Sequence, residues 1–217
     1  MNHLASSGIH NGIIAVYKPR GVSSFAVVRA LQRATGVKKI GHAGTLDPFA
    51  SGVLVVGIGR EATKQLHRIV ESEKEYILTV KLGEESNTGD PEGTIRIVPV
   101  LKAPTRVAIR SALKKYTGVI LQTPPQFSAV KVKGKRAYEY ARLGEKVVLK
   151  SRPVFIKTIR ILSYRYPLLK LKVVCGKGVY MRSLAQDIGR DVGTGGYAKE
   201  LERTRVGRFI LENVYSL

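Results

Sequence analysis

The pattern that most constrains this chain is a succession of short strand-like runs, each cut off by Gly or Pro, with helical stretches set among them in no regular alternation. Residues 13–17 read as a strand stopped by Lys18-Pro19-Arg20-Gly21, a turn signature. The apolar run over residues 53–58 is strand-length, and Tyr76, Leu78, Val80 and Leu82 alternate onto one face. Residues 126–132 and 147–154 read as further strands around a short helix over 137–143, which Gly144 ends. Residues 154–164 and 168–175 form an expected hairpin through Pro167. Ser23 or Ser24 can cap a helix carrying Phe25, Val28 and Leu31, with Gly36 as its stop. Further helices are expected over 62–70, from Thr105 to about 116, over 180–191 with Leu184 and Ile188 inward, and over 197–202 ahead of a strand near 208–210. Residues 83–93 read as an exposed loop and residues 1–11 as a flexible end. Strands outnumber helices without alternating with them, so the expected class is α+β with a largely antiparallel sheet. Nothing resembling a repeat or linker interrupts residues 12–217, which are expected to form one domain.

Charge narrows the partner. Lys and Arg number 37 against 16 Asp and Glu, a formal charge of +21. Such an excess repels itself in a folded molecule unless an anionic partner neutralises it. Nucleic acid is the leading partner and an anionic membrane surface the second. The basic residues are spread along the chain, which predicts a charged face assembled by folding and not a disordered arm. No apolar run approaches the roughly 20 residues that span a bilayer. The N-terminus lacks the pattern of a secretory signal. The single cysteine, Cys175, sits in an apolar strand-like run and reads as a small buried side chain. His3, His10, His42 and His67 lack ligand spacing, so no metal site is expected. These features predict a cytoplasmic protein with a polyanionic partner.

The chemistry-bearing segment is Gly41-His42-Ala43-Gly44-Thr45-Leu46-Asp47-Pro48-Phe49-Ala50-Ser51-Gly52-Val53-Leu54. It holds one of only four aspartates in the chain, alone among small neutral residues and followed by the apolar run. A carboxylate so placed fits a nucleophile or an acid/base group. The competing reading is an Asp-Pro turn. Arg182 reads from spacing alone as a phosphate contact or a solvated helix residue, and Tyr76 as either a core tyrosine or a stacking ring.

These segments resemble the TruB family of tRNA pseudouridine synthases. The loop Gly41-His42-Ala43-Gly44-Thr45-Leu46-Asp47-Pro48 matches that family's most diagnostic motif. Lys18-Pro19-Arg20-Gly21-Val22-Ser23-Ser24, Lys74-Glu75-Tyr76, Gly176-Lys177-Gly178-Val179-Tyr180-Met181-Arg182-Ser183-Leu184 and Leu201-Glu202-Arg203-Thr204-Arg205-Val206-Gly207 follow in the family's order. The resemblance spans about residues 11–215. It implies the pseudouridine synthase catalytic fold, a central mixed, largely antiparallel sheet flanked by helices. It implies isomerisation of the T-loop uridine at tRNA position 55, with no cofactor and no metal. The residue roles it implies are Asp47 as the catalytic carboxylate, Tyr76 stacking on the extruded base, and Arg182 holding the Asp47 carboxylate. Tyr180 becomes a second pocket residue and Leu201 an apolar wall. His42 contacts the RNA, while Lys18 supports the loop and also touches RNA. Asp90 is a further candidate contact.

Most bacterial members of that family continue beyond the catalytic core, commonly with a small RNA-binding PUA module. None is expected within these residues, so the positive charge should supply much of the grip on tRNA, with binding that weakens as salt rises. The family precedent is a monomer bound to the T arm and elbow of tRNA. The alternative reading is a tRNA-folding chaperone whose catalysis is secondary.

Overall fold

The computed structural model describes residues 2–3, 11–145 and 147–216. They fall into two compact units: the first is Met1–Ile77, Val174–Lys177 and Leu201–Leu217, the second Leu78–Val173 and Gly178–Glu200. Three strands, β5 (Lys74–Leu82), β12 (Leu168–Cys175) and β13 (Gly196–Val206), contribute residues to both. The division therefore falls inside regular strands, where no Pro- or Gly-rich linker marks it in the sequence. Most of the expected flexible end, residues 1–11, lies outside the described residues; Asn2–His3 form a short strand, β1.

The first unit is built on β2 (Gly12–Lys18) and β4 (Ser51–Ile58), antiparallel from Gly12 opposite Ile58 to Lys18 opposite Gly52. On the other edge of β4, two strands share the ladder end to end. β3 (Ile40–His42) pairs with its last residues, and β13 runs parallel to its first, Glu202 opposite Ser51 and Arg203 opposite Gly52. Residues 43–50 leave the edge between them. Helix α1 (Ser24–Thr35) has its N-terminus capped by Ser23, whose hydroxyl accepts from the Ala26 N–H at 3.1 Å, and it stops at Gly36. It buries Val27, Val28 and Leu31 against Val16, Leu54 and Val56. Helix α2 (Arg60–Val70) packs Leu66 with Ala43, Val53 and Val55.

Gly52 is required by this junction. Its φ is +109°, and a Cβ there would lie 2.2 Å from the Arg203 carbonyl oxygen. Gly52→Ala should therefore force the β4–β13 pairing apart. Positive-φ strain adds to a backbone clash that no rotamer can relieve. The expected loss is about 3 kcal/mol or more, read as a fall in Tm of several degrees. An unchanged Tm would contradict the pairing.

The second unit carries the remainder of β5, β12 and β13 with β11 (Arg152–Arg165) and β8 (Gly118–Gln122), which are antiparallel to each other. Two small hairpins accompany them, β6 (Glu84–Ser86) with β7 (Ile95–Ile97) and β9 (Lys131–Val132) with β10 (Lys135–Arg136). Helices α3 (Arg106–Lys114), capped by Thr105, and α5 (Met181–Asp191) bury Ile109, Leu113, Leu184 and Ile188, while α4 (Ala137–Arg142) is short. β14 (Phe209–Ile210), antiparallel to the end of β13, and β15 (Tyr215–Ser216), parallel to β2, complete the first unit. The fold is α+β with a mixed sheet, as expected.

Three local expectations fail. Residues 197–202 are strand, not helix: Tyr197, Ala198 and Leu201 suit a helical face, but the place of β13 between β4 and β5 in the sheet order overrides that weak preference. Residues 126–130 and 147–151 are not strands. There the Gln126 amide donates to the Val147 carbonyl at 2.8 Å and accepts from the Val147 N–H at 3.3 Å, satisfying backbone that a ladder would otherwise pair. Residues 83–93 include β6 and bury Ser86 and Asp90.

Candidate active site

The segment 43–50 is a fastened loop. Ser24 Oγ accepts from the Leu46 N–H at 2.9 Å and donates to the Leu46 carbonyl at 3.0 Å. The Gly21 N–H donates to the Pro48 carbonyl at 2.8 Å, and the Ala43 N–H to that of Val55 at 2.8 Å. Ala43, Leu46, Phe49 and Ala50 are buried, leaving Asp47 half-buried at the turn, its own carbonyl accepting from the Ala50 N–H at 3.1 Å. Fixing both neighbours of Asp47 by main-chain bonds orders its carboxylate before any ligand arrives, the condition for positional catalysis.

Lys18 belongs to this fastening. It is 0% exposed, and its ammonium donates to the carbonyls of Pro19 (2.9 Å), Val22 (2.7 Å) and Pro48 (3.3 Å). The supporting role expected for it has a geometric basis. The expected RNA contact is corrected, because an ammonium buried among backbone carbonyls is not presented to a phosphate.

Beneath the loop lies a residue the sequence reading passed over. Arg203, on β13, is 1% exposed, with Nε donating to the Val53 carbonyl at 2.8 Å and a terminal nitrogen to that of Gly44 at 3.0 Å. The Tyr76 hydroxyl accepts a hydrogen bond from the same guanidinium. Burial raises the Tyr76 pKa, Arg203 opposes that rise and the Asp47 carboxylate adds to it, so Tyr76 stays neutral. The hydroxyl is therefore not a base. The His42 pKa is lowered by burial first and by Arg203 second, favouring the neutral imidazole, and its Nδ1 is buried without a hydrogen-bond partner. Burial and Arg203 likewise lower the pKa of Lys74, whose ammonium closes the end of α2 on the carbonyls of Val70 (2.8 Å) and Ser72 (2.7 Å). Burial pushes the Cys175 thiol up to about 12, so it is inert as a nucleophile.

One guanidinium thus ties the Gly44 and Val53 carbonyls to the Tyr76 hydroxyl within the first unit. A signal for it existed: Arg203 stands two residues after Leu201, so on a strand the two share a face, and both are buried.

Tyr180 and Arg182 belong to the second unit. Tyr180 precedes α5, its N–H donating to the Gln122 side-chain oxygen at 2.8 Å and its carbonyl accepting from the Gln122 amide at 3.1 Å, with the Arg152 guanidinium 5.3 Å from its ring centre. Arg182 is 3% exposed and donates to the carbonyls of Thr88 (3.0 Å) and Phe127 (2.7 Å). Within this unit its carboxylate neighbour is Asp90, at 3.4 Å, which also accepts from Thr88 Oγ1 at 2.6 Å and the Glu92 N–H at 3.0 Å. Both are buried, so neither the solvated-helix reading of Arg182 nor the exposed-turn reading of Asp90 holds. Among the described residues no three His, Cys, Asp or Glu gather as a metal site, and no helix is long and apolar enough to cross a membrane.

Comparison with known proteins places these features in a lineage. The model of the TruB family pseudouridylate synthase N-terminal domain matches residues 32–181. The chain is 44% identical over 207 residues to the tRNA pseudouridine synthase B of Protochlamydia amoebophila, covering 93% of this chain and 76% of that protein. It is 46% identical over 206 residues to that of Parabacteroides distasonis, covering 92% and 87%. Among solved structures, it superposes on a chain of a Cbf5-Nop10-Gar1 complex with a TM-score of 0.73 and 30% identity over 98% of its length, spanning about half (54%) of that longer chain. A chain of an H/ACA RNP bound to a substrate RNA containing 2'-deoxyuridine gives a TM-score of 0.70 at 27% identity, covering 96% and 52%.

Proposed function

The chain belongs to the TruB family of pseudouridylate synthases, and from that premise we propose that it isomerises the T-loop uridine of tRNA, at position 55, to pseudouridine. The observation that carries the reading is the fastened loop that presents the one carboxylate of the first 60 residues, Asp47, above a buried Arg203–Tyr76 pair. The target base is stacked in a folded RNA loop, and extruding it costs a few kcal/mol. Tyr76 offers a neutral ring to stack against the extruded base. His42, neutral and with an orphaned Nδ1, is the proposed RNA contact that helps hold the nucleotide out. Asp47 is the nucleophile or the anion that stabilises the developing positive sugar. The C1′–N1 bond breaks, the base rotates, the C1′–C5 bond forms, the C5 proton passes to solvent and N1, now free, carries a proton in its place. Leu201 is the proposed apolar wall, and Tyr180 and Arg182 keep their proposed active-site roles on the motif that contains them.

Release of tritium from tRNA labelled at C5 of uridine tests the reading. We expect stoichiometric release for one uridine per tRNA, lost when the T-loop uridine is replaced by cytidine. Tight tRNA binding with no release would instead favour the chaperone reading.

A further inference from the structure

Phe25, Arg29 and Arg33 stand at i, i+4 and i+8 on α1, opposite its buried face of Val27, Val28 and Leu31, and all three are exposed. Phe25 is 62% exposed, with the Arg29 guanidinium 5.1 Å from its ring centre. Beyond α1 the exposed Lys38 and Lys39 extend the run, in a turn held by the Gln32 amide donating to the Lys38 carbonyl at 2.8 Å. Among the described residues no carboxylate pairs with Arg29, Arg33, Lys38 or Lys39. Asp47 is the one acid in the first 60 residues, so this stretch has almost no counter-charge in sequence. Phe25 directly follows Ser24, the residue that fastens Leu46 beside Asp47.

The geometry points to a ridge for the RNA strand that flanks the target nucleotide: an unpaired base stacks on Phe25, and successive phosphates lie along Arg33, Lys38 and Lys39. An exposed aromatic costs nothing to leave single on a surface, and an i, i+4 contact with arginine adds only a few tenths of a kcal/mol to a helix. Its coincidence with four cations that no carboxylate pairs among the described residues, two along the about 12 Å of helix from Phe25 to Arg33 and two just past the helix end, is what fits a nucleic-acid strand. The occupant is RNA and not a membrane, because the ridge offers one ring and no apolar stripe to bury in lipid. This assignment rests on tRNA being the substrate.

The test compares wild type with Phe25→Ala and with the triple substitution Arg33→Gln/Lys38→Gln/Lys39→Gln, using filter binding of tRNA across a salt series and tritium release at saturating tRNA. Phe25→Ala should weaken binding about 5- to 100-fold with an unchanged salt slope, the loss of one stacked base. The triple variant should flatten the slope by about 2 to 3, the loss of three phosphate contacts. The rate at saturation should stay at the wild-type value in both. Affinities within twofold of wild type at every salt, an effect in only one variant, or tighter capture by phosphatidylserine vesicles than by tRNA would overturn the ridge. If wild type releases no tritium, the functional reading fails separately, and the ridge is judged on binding alone.

Discussion

Asp47→Asn is expected to abolish tritium release, to below about one-thousandth of the wild-type rate, while tRNA binding should stay within about threefold. The change is near-isosteric, and the anchors that shape the loop run through main-chain atoms of Leu46, Pro48, Ala43 and Gly44 and through Asp47's own carbonyl. The variant therefore retains these main-chain anchors and loses the anion. An amide is neither a nucleophile nor a charge able to stabilise a developing cation on the sugar, whichever of those steps comes first. Circular dichroism and Tm close to wild type would exclude misfolding as the cause. Equal tritium release from the two proteins would remove Asp47 from the chemistry.

The second large effect is expected at Arg203. Arg203→Met keeps most of the buried volume but strips donors from the Gly44 and Val53 carbonyls and from the Tyr76 hydroxyl. Buried acceptors left unmatched cost about 1–3 kcal/mol each, so the expected destabilisation is about 3–5 kcal/mol after the relief of desolvating a charge. Catalysis should fall by about 100-fold in kcat at a temperature where the variant is folded, with little change in KM, because a loosened loop misplaces Asp47 without removing an RNA contact. The His42 pKa should rise from its depressed value once the neighbouring charge is gone, a shift readable by NMR. A variant that merely folds poorly would not combine a kcat loss with that rise. Arg203→Lys, which restores charge without the planar fork, should recover part of the stability and less of the rate. Wild-type kcat in the methionine variant would refute a positioning role.

The loop, its aspartate and the helix that braces it are legible because their signals are local. Ser23 and Gly36 bound α1 within a few residues of the pattern they punctuate, and the period-2 run from Tyr76 to Leu82 needs no distant partner to declare a strand. Where competition is non-local, local pattern misleads. Residues 197–202 have a plausible helical face, yet β4 and β5 lie beside them in the sheet order. Lys18 is expected both to support the loop and to touch RNA, and only the carbonyl of Pro48, 30 residues on, shows its ammonium turned inward.

What the sequence determined by itself was the chemistry on offer: a lone carboxylate in a Gly- and Pro-rich loop, a tyrosine opening an alternating strand, and a positive charge large enough to demand a polyanion. What only tertiary structure decided was which charges are spent inside. Arg203 meets Gly44 and Val53 across 159 and 150 residues of chain, and Arg182 meets Thr88 and Phe127 across 94 and 55. A buried guanidinium is tolerable only where oxygen acceptors converge on it, and convergence is a property of packed strands and not of neighbours in sequence. The same packing leaves Arg33, Lys38 and Lys39 outside, without acidic partners among the described residues, and so separates the cations that hold the protein together from those proposed to hold RNA.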